Sequence, residues 1–268
     1  MREQDTNVMR VLNTKVNLDS FFSDLRKCSQ RLLMLDYDGT LAPFVDQRDR
    51  AFPYPGVREI LAALNGDTRT RVVVVSGRAV DDLLPLLSID PRPEIWGSHG
   101  WERLHADGRY DHPQFPPGLR DLFSHEWAWL QNTFDHRLLE HKPASLALHW
   151  RGLPESERQE LRRKAETRWT PFRDMAQFDL HTFDGGVELR AAGRTKGDAV
   201  QMLLSETPHE HFAAYLGDDH TDEDAFAALS GRGLRVLVRT EYRPTLADVH
   251  CIPPEGLLTF LHQWTETS

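Results

Sequence analysis

Residues 32–44 read LLMLDYDGTLAPF. An apolar run that stops at Asp36 and Asp38, with Gly39 and Thr40 directly after, predicts a buried strand that delivers two carboxylates to its tip. In extended backbone, residues i and i+2 point to the same side, so both carboxylates can aim at one point beyond the strand. Two carboxylates that close repel and shift each other's pKa unless a cation lies between them, and a set of oxygen ligands favours magnesium. Asp-Tyr-Asp-Gly would read the same if it were only a turn closing a strand. Partners farther along the chain decide between the two.

Working outward, apolar runs recur as GVREILAALN at 56–65, RVVVVSG at 71–77 and AVDDLLPLL at 79–87. They return near the end as KGDAVQMLLSE at 196–206, AAYLGDD at 213–219, DEDAFAALS at 222–230 and LRVLV at 234–238. Strands of nearly continuous Val and Leu are buried on both faces, so their alternation with helical stretches predicts an α/β fold, a parallel sheet between helices. Between the halves, DHPQFPPG at 111–118 holds three prolines and a glycine and reads as a linker. An aromatic helix at 119–134, SLALHWR at 145–151, a helix near 154–170 and QFDLHTF at 177–183 then predict a mixed insert. Gly185 and Gly186 would hinge it back to the core. The expected organisation is a lead-in and helix over 1–30, a core over 31–111, an inserted α+β cap over 112–185, and the rest of the core over 186–268.

The 268 residues suffice for a substantial core. Lys and Arg number 32 against 41 Asp and Glu; the net charge of -9 argues against nucleic acid or an anionic membrane as the main partner. An anionic substrate would need a local cationic site. Cys28 and Cys251 are too few for a disulfide framework and read as free thiols in a reducing compartment. The opening MREQDTNVMRVLNTKVNLDSFF lacks the continuous apolar stretch of a signal peptide, and no apolar run approaches membrane-spanning length. A cytoplasmic location, and a monomer by default, are expected.

Four elements at strand ends would converge in the crevice where open α/β sheets place ligands. Asp36 and Asp38 are the first. Ser76, beside Gly77 in VVVVSGR, offers a hydroxyl to a phosphate oxygen, or caps the next helix; the two roles are compatible, since a helix N-terminus favours an anion. Lys196 opens a helix, against the dipole preference, which suggests an anion nearby or else a surface lysine. In GDDHTDED at 217–224, a first helical turn capped by Thr221 would explain Asp222, Glu223 and Asp224. Asp218 and Asp219 remain, and they call for a cation.

An Asp-x-Asp-x-Thr pair, a Ser, a Lys and an acidic loop, in this order, resemble the haloacid dehalogenase superfamily of phosphotransferases. The resemblance implies a Rossmann-like core with an inserted α+β cap. It implies Asp36 as the nucleophile that takes the phosphoryl group and Asp38 as general acid, then base. Magnesium would be held by Asp36, the backbone carbonyl of Asp38 and Asp218, and phosphate oxygens by Ser76 and Lys196. Thr40, Asp219 and Asp222 would orient these groups from behind, with Gly39 and Thr40 also lining the phosphate.

Within that superfamily, DYDGTLAPF, SGR at 76–78, GSHGWE at 97–102, HWR at 149–151, VELR at 187–190, KGDAV at 196–200 and GDDHTDEDAF at 217–226 resemble the trehalose-6-phosphate phosphatase family in order and spacing. Position 150 is Trp where the family pattern has Tyr. The substrate would then be a sugar phosphate. A sugar site needs carboxylates and donors that meet hydroxyl pairs. Glu102 and Glu188 fit, with Arg78, His99, Gly100, Lys142 and Arg151 as further candidates. Glu188 would equally pair with Arg190 on a strand surface, Arg151 would equally face solvent, and His99 has no nucleophile beside it and reads as structural.

Another sugar phosphate (sucrose phosphate, or a glucosyl- or mannosylglycerate phosphate), a sugar phosphomutase, and a non-catalytic partner domain of trehalose synthesis stay open as alternatives. Gly231 and Gly233 make no dinucleotide fingerprint, and no phosphate-loop or His-Glu-x-x-His motif occurs. His209 and His211 read as a surface pair, not a zinc site.

Overall fold

The computed structural model describes residues 8–183, 185–207 and 211–266; residues 1–7 of the lead-in and His209 lie outside these. In chain order the elements are β1 (Met9–Val11), α1 (Leu18–Lys27), β2 (Arg31–Leu35), α2 (Val57–Gly66), β3 (Thr70–Val75), α3 (Val80–Leu87), β4 (Glu94–Gly97), β5 (Glu102–Leu104) and β6 (Tyr110–Asp111). Next come α4 (Leu119–Thr133), β7 (Leu139–Lys142), β8 (Ser145–His149), α5 (Glu155–Trp169), β9 (Phe178–Phe183) and β10 (Gly186–Ala191). Then follow α6 (Lys196–Glu206), β11 (Phe212–Gly217), α7 (Asp222–Leu229), β12 (Leu234–Val238), β13 (Val249–Cys251) and α8 (Glu255–Thr265).

The chain divides into two compact units, residues 1–110 with 195–268, and residues 111–194. In the first, a sheet runs in the order β1-β13-β12-β11-β2-β3-β4-β5-β6. From β13 to β4 all neighbours are parallel; β1 and β5 run antiparallel at the flanks. The chain winds from β2 through β3 to β4, then restarts at β11 on the other side of β2 and winds through β12 to β13. That reversal is the switch point beside which such sheets hold ligands. Leu33, Leu35, Val72, Val74, Ala214 and Leu216 pack on α1, α2, α3 and α8. Leu32, Met34, Val73, Val75, Ala213 and Tyr215 pack on α6 and α7. Period-two alternation thus buries both faces, which is why β2 has no exposed residue.

In the second unit an antiparallel sheet, β7-β8-β10-β9, is apolar on one face. Leu146, Leu148, Val187, Leu189 and Phe178 share that face, and Phe178 meets the Phe123 ring of α4 edge-on, 5.5 Å between centroids. The other face carries Glu140, Lys142, Ser145, His149, Glu188 and Arg190. The expected boundary at 185/186 is corrected here: Gly186–Ala191 pairs with both β8 and β9, so Gly186 opens a strand of the cap sheet. The chain returns to the core only after Gly193, whose φ is +101°. His211, read as a surface residue, is half-buried. Cys251 is a buried thiol and Cys28 a partly buried one. Among the described residues no helix is long and apolar enough to cross a membrane.

Candidate active site

Asp36 follows the last residue of β2, and its N–H donates to Leu216 O of β11 at 2.8 Å, which locks it at the switch point. Its carboxylate is buried. Oδ1 accepts from Lys196 Nζ at 2.7 Å; Oδ2 lies 3.5 Å from Thr40 Oγ1. Lys196 is the first residue of α6, a helix started by a reciprocal capping box between Thr195 and Asp198. The cap points the lysine inward, where Nζ also donates to Asp222 Oδ1 at 2.8 Å. Burial alone would lower the Lys196 pKa, but Asp222 and Asp36 outweigh it and hold the ammonium above its ordinary value.

Asp222 is the hub of the acidic loop. Oδ1 accepts from Lys196 and from Tyr215 Oη at 2.7 Å, and Oδ2 accepts the N–H groups of Asp218 and Asp219, each at 2.9 Å. Thr221, expected to cap α7, makes no side-chain cap bond, because Asp222 gathers the loop amides instead. With both oxygens of Asp222 engaged, the group left for a cation is Asp218, whose Oδ1 is buried without a hydrogen-bond partner. Oxygens of Asp36, Asp218 and Asp222 lie within 4.8 Å of one another. Burial, then neighbouring carboxylates, push Asp36 and Asp218 upward in pKa. When all three are ionised, one ammonium leaves two negative charges uncompensated. An orphaned carboxylate oxygen in such a cluster fits a divalent cation.

Gly39 has φ +82°, and a Cβ there would stand 2.3 Å from Asp218 Oδ2. Only glycine brings the β2 loop this close to the acidic loop. Asp38 is gripped by Arg78: Nε to Oδ2 at 2.7 Å and Nη2 to Oδ1 at 2.6 Å, while Nη1 donates to Arg48 O at 2.9 Å. The guanidinium expected at the substrate is thus directed to the expected acid-base residue. Ser76 is buried at the end of β3, and its Oγ accepts the Arg78 N–H at 3.2 Å, which leaves the hydroxyl proton to donate. It does not cap α3, whose N-cap is Ala79. The His99 ring covers Gly77, where a Cβ would stand 2.5 Å from it, and His99 N–H donates to Ser76 O at 3.0 Å. Gly100 lies against Thr195 O, close to the start of α6. His99 therefore packs on the Ser76 turn.

Glu102 has protein partners of its own. Its buried carboxylate accepts from Ser98 Oγ, Tyr110 Oη and Val80 N, and so braces the 98–100 turn. In the cap, Glu188 is buried and accepts from Lys142 Nζ at 2.8 Å, Ser145 Oγ at 2.6 Å and Arg190 Nε at 2.6 Å. Lys142 also lies 3.6 Å from Glu140, which meets His149 Nε2 at 2.8 Å. Arg151 is exposed. Arg239 and Arg243 were not foreseen: Arg239 Nη1 is 3.9 Å from Asp218 Oδ2, and Arg243 binds the carbonyls of Asp218 and Asp219. They stand more than twenty residues downstream in RTEYRPT, where no local pattern marks them.

The layered core, with its buried lysine and carboxylates at the switch point, has the haloacid dehalogenase fold. A trehalose-phosphatase family model matches residues 34–248, and the chain belongs to that family. It is 31% identical to a bifunctional trehalose-6-phosphate synthase/phosphatase of Thermoproteus tenax over 98% of this chain and 35% of that protein. It is 30% identical to a trehalose-phosphate phosphatase of Mycobacterium bovis over 78% of this chain and 54% of the relative. The chain thus spans about a third of the one and half of the other. The C-terminal domain of Candida albicans trehalose-6-phosphate phosphatase superposes with a TM-score of 0.77 at 20% identity, covering 96% of this chain and 99% of that one, which shows a shared fold.

Proposed function

We propose that the chain is a magnesium-dependent phosphatase that hydrolyses trehalose 6-phosphate to trehalose and phosphate. The observation that carries the reading is Asp36 at the end of β2, buried and held by Lys196, with the orphaned carboxylate oxygen of Asp218 beside it. Family membership supports the ester, and the names of both relatives point the same way. Asp36 and Asp218 would hold magnesium, with the Asp38 carbonyl. The ion would supply charge neutralisation, without which a dianionic phosphate and a carboxylate repel.

The Asp36 carboxylate attacks phosphorus, and the bond from phosphorus to the sugar oxygen breaks. Asp38, which must first carry a proton on an oxygen released from Arg78, gives it to the sugar oxygen as trehalose leaves. Asp38, now a carboxylate, takes a proton from water as the water oxygen attacks the aspartyl phosphate. The phosphorus–Asp36 bond then breaks, which frees phosphate and restores both residues. Lys196 and the Ser76 hydroxyl stabilise phosphate oxygens, and Arg78 holds Asp38 in one direction. On the cap, Glu188 and Lys142 present an acceptor and a donor suited to sugar hydroxyl pairs; Arg151 is a further donor.

The test is phosphate release from a panel of sugar phosphates, with magnesium and with a chelator. Trehalose 6-phosphate hydrolysed best, and only with the metal, is the expected result. Preference for sucrose phosphate or a glycosylglycerate phosphate would replace the substrate, and an isomerised sugar phosphate would indicate a mutase. No release from any ester would leave a partner domain.

A further inference from the structure

Asp218 and Asp219 occupy the turn between β11 and α7, and their peptide groups are held from two sides. Asp222 Oδ2 accepts both N–H groups, as above. Both carbonyls accept from one side chain, Arg243, in the loop after β12: Nε donates to Asp218 O at 3.2 Å and Nη2 to Asp219 O at 2.7 Å, and Asp219 O also accepts the Asp222 N–H at 3.0 Å. The remaining nitrogen, Nη1, donates to Pro244 O at 2.9 Å and to the Glu223 carboxylate. Glu223 in turn accepts from Thr245 Oγ1 and Leu246 N, each at 2.8 Å. Residues 243–246 and the first turn of α7 therefore grip each other around a side chain only 11% exposed. Arg239 differs: it is more exposed and reaches Asp218 O at 3.4 Å with one nitrogen.

We propose that Arg243 is a positioning residue for Asp218: by fixing the carbonyl edge of the 218–219 turn it sets the direction in which the Asp218 carboxylate meets a divalent cation. The inference rests on the metal reading above. The positive charge of Arg243 acts in the opposite sense, since a cation beside a cation site weakens it. Glu223 offsets that charge, and the donors face carbonyls, so geometry decides the sign. Groups that orient a metal ligand in this way typically account for roughly 10–100-fold in metal affinity.

The experiment titrates magnesium into the metal-free full chain by calorimetry, without substrate, and separately finds the magnesium concentration for half-maximal phosphate release. Arg243→Ala is expected to weaken both by roughly 10–100-fold, with the ester KM unchanged at saturating magnesium. Arg243→Lys, which keeps the charge but puts its donors on a single nitrogen in place of the guanidinium fork, is expected to fall between. Circular dichroism in chelator establishes that each variant is folded; if Arg243→Ala is not, Arg243→Lys carries the test. Magnesium binding by either variant as tight as wild type overturns the inference, and so does a KM that rises in step. A wild-type chain that takes up no magnesium would instead overturn the metal reading beneath it.

Discussion

Lys196 is a buried ammonium that bridges two buried carboxylates, with a third alongside. Removing it leaves uncompensated charge in a dry site, which typically costs roughly 3–5 kcal/mol. Lys196→Met is therefore expected to lower the unfolding free energy by about that much in chelator, measured by denaturant titration. Magnesium is expected to restore part of the loss, because it replaces some of the missing positive charge. A loss below 1 kcal/mol would mean that the cluster tolerates its charge unaided. Asp38 gives the opposite case: half-exposed, it stands in a bidentate pair with Arg78, outside the buried cluster. Asp38→Asn fills the same space but keeps one acceptor for Arg78 and cannot move a proton. Its kcat is expected to fall by ~10²–10⁴, the usual share of general acid-base catalysis, with KM little changed. A KM effect without a kcat effect would assign Asp38 to binding.

Among elements, β2, β3, β11 and α6 were legible because apolar runs and strand-end Asp, Ser and Lys are local signals. Asp36, Asp218 and Lys196 do come together. Contacts set by long-range packing were not legible. Nothing local to Glu102 shows that Ser98, Tyr110 and Val80 all donate to its carboxylate. Gly185 and Gly186 read as a hinge because a glycine pair marks a turn without saying which strands it joins. Asp248 is similarly silent in sequence, yet it ties three elements: it accepts from Arg235 of β12 at 2.7 and 2.9 Å and from Asn13 after β1 at 2.8 Å, and it directly precedes β13. Burial would raise its pKa, but Arg235 and Asn13 outweigh that and hold it below the ordinary value. A carboxyl depressed on folding stabilises at pH above its unfolded pKa of about 3.9, and that stability is lost as pH falls through the lower folded value. Asp248→Asn is therefore expected to cost roughly 1.5–3 kcal/mol at pH 7, with the gap to wild type narrowing below about pH 4. Denaturant titrations at pH 7 and pH 3 measure it; an equal gap at both would show that charge is not what ties these elements.

At the scale of the whole molecule, two units each have a core of their own, and every residue assigned to the metal lies in the larger one. A ligand slows only those openings of the chain that destroy its site, by a factor set by its concentration over its dissociation constant. At a hundred times that constant the stabilisation is about 2.7 kcal/mol, or roughly a hundred-fold in exchange rate. Magnesium alone is therefore expected to slow hydrogen exchange by up to about that factor at the amides of β2 and β11, whose ends carry Asp36 and Asp218. Amides of β8 and β10, on the cap sheet, are expected to exchange as before, since opening that sheet leaves the carboxylate cluster whole. The measurement is hydrogen-exchange mass spectrometry with magnesium and with chelator, in the absence of any ester. Cap protection equal to that of β2 would mean that both units open together, and a single cooperative unfolding step would then replace the two expected from separate cores.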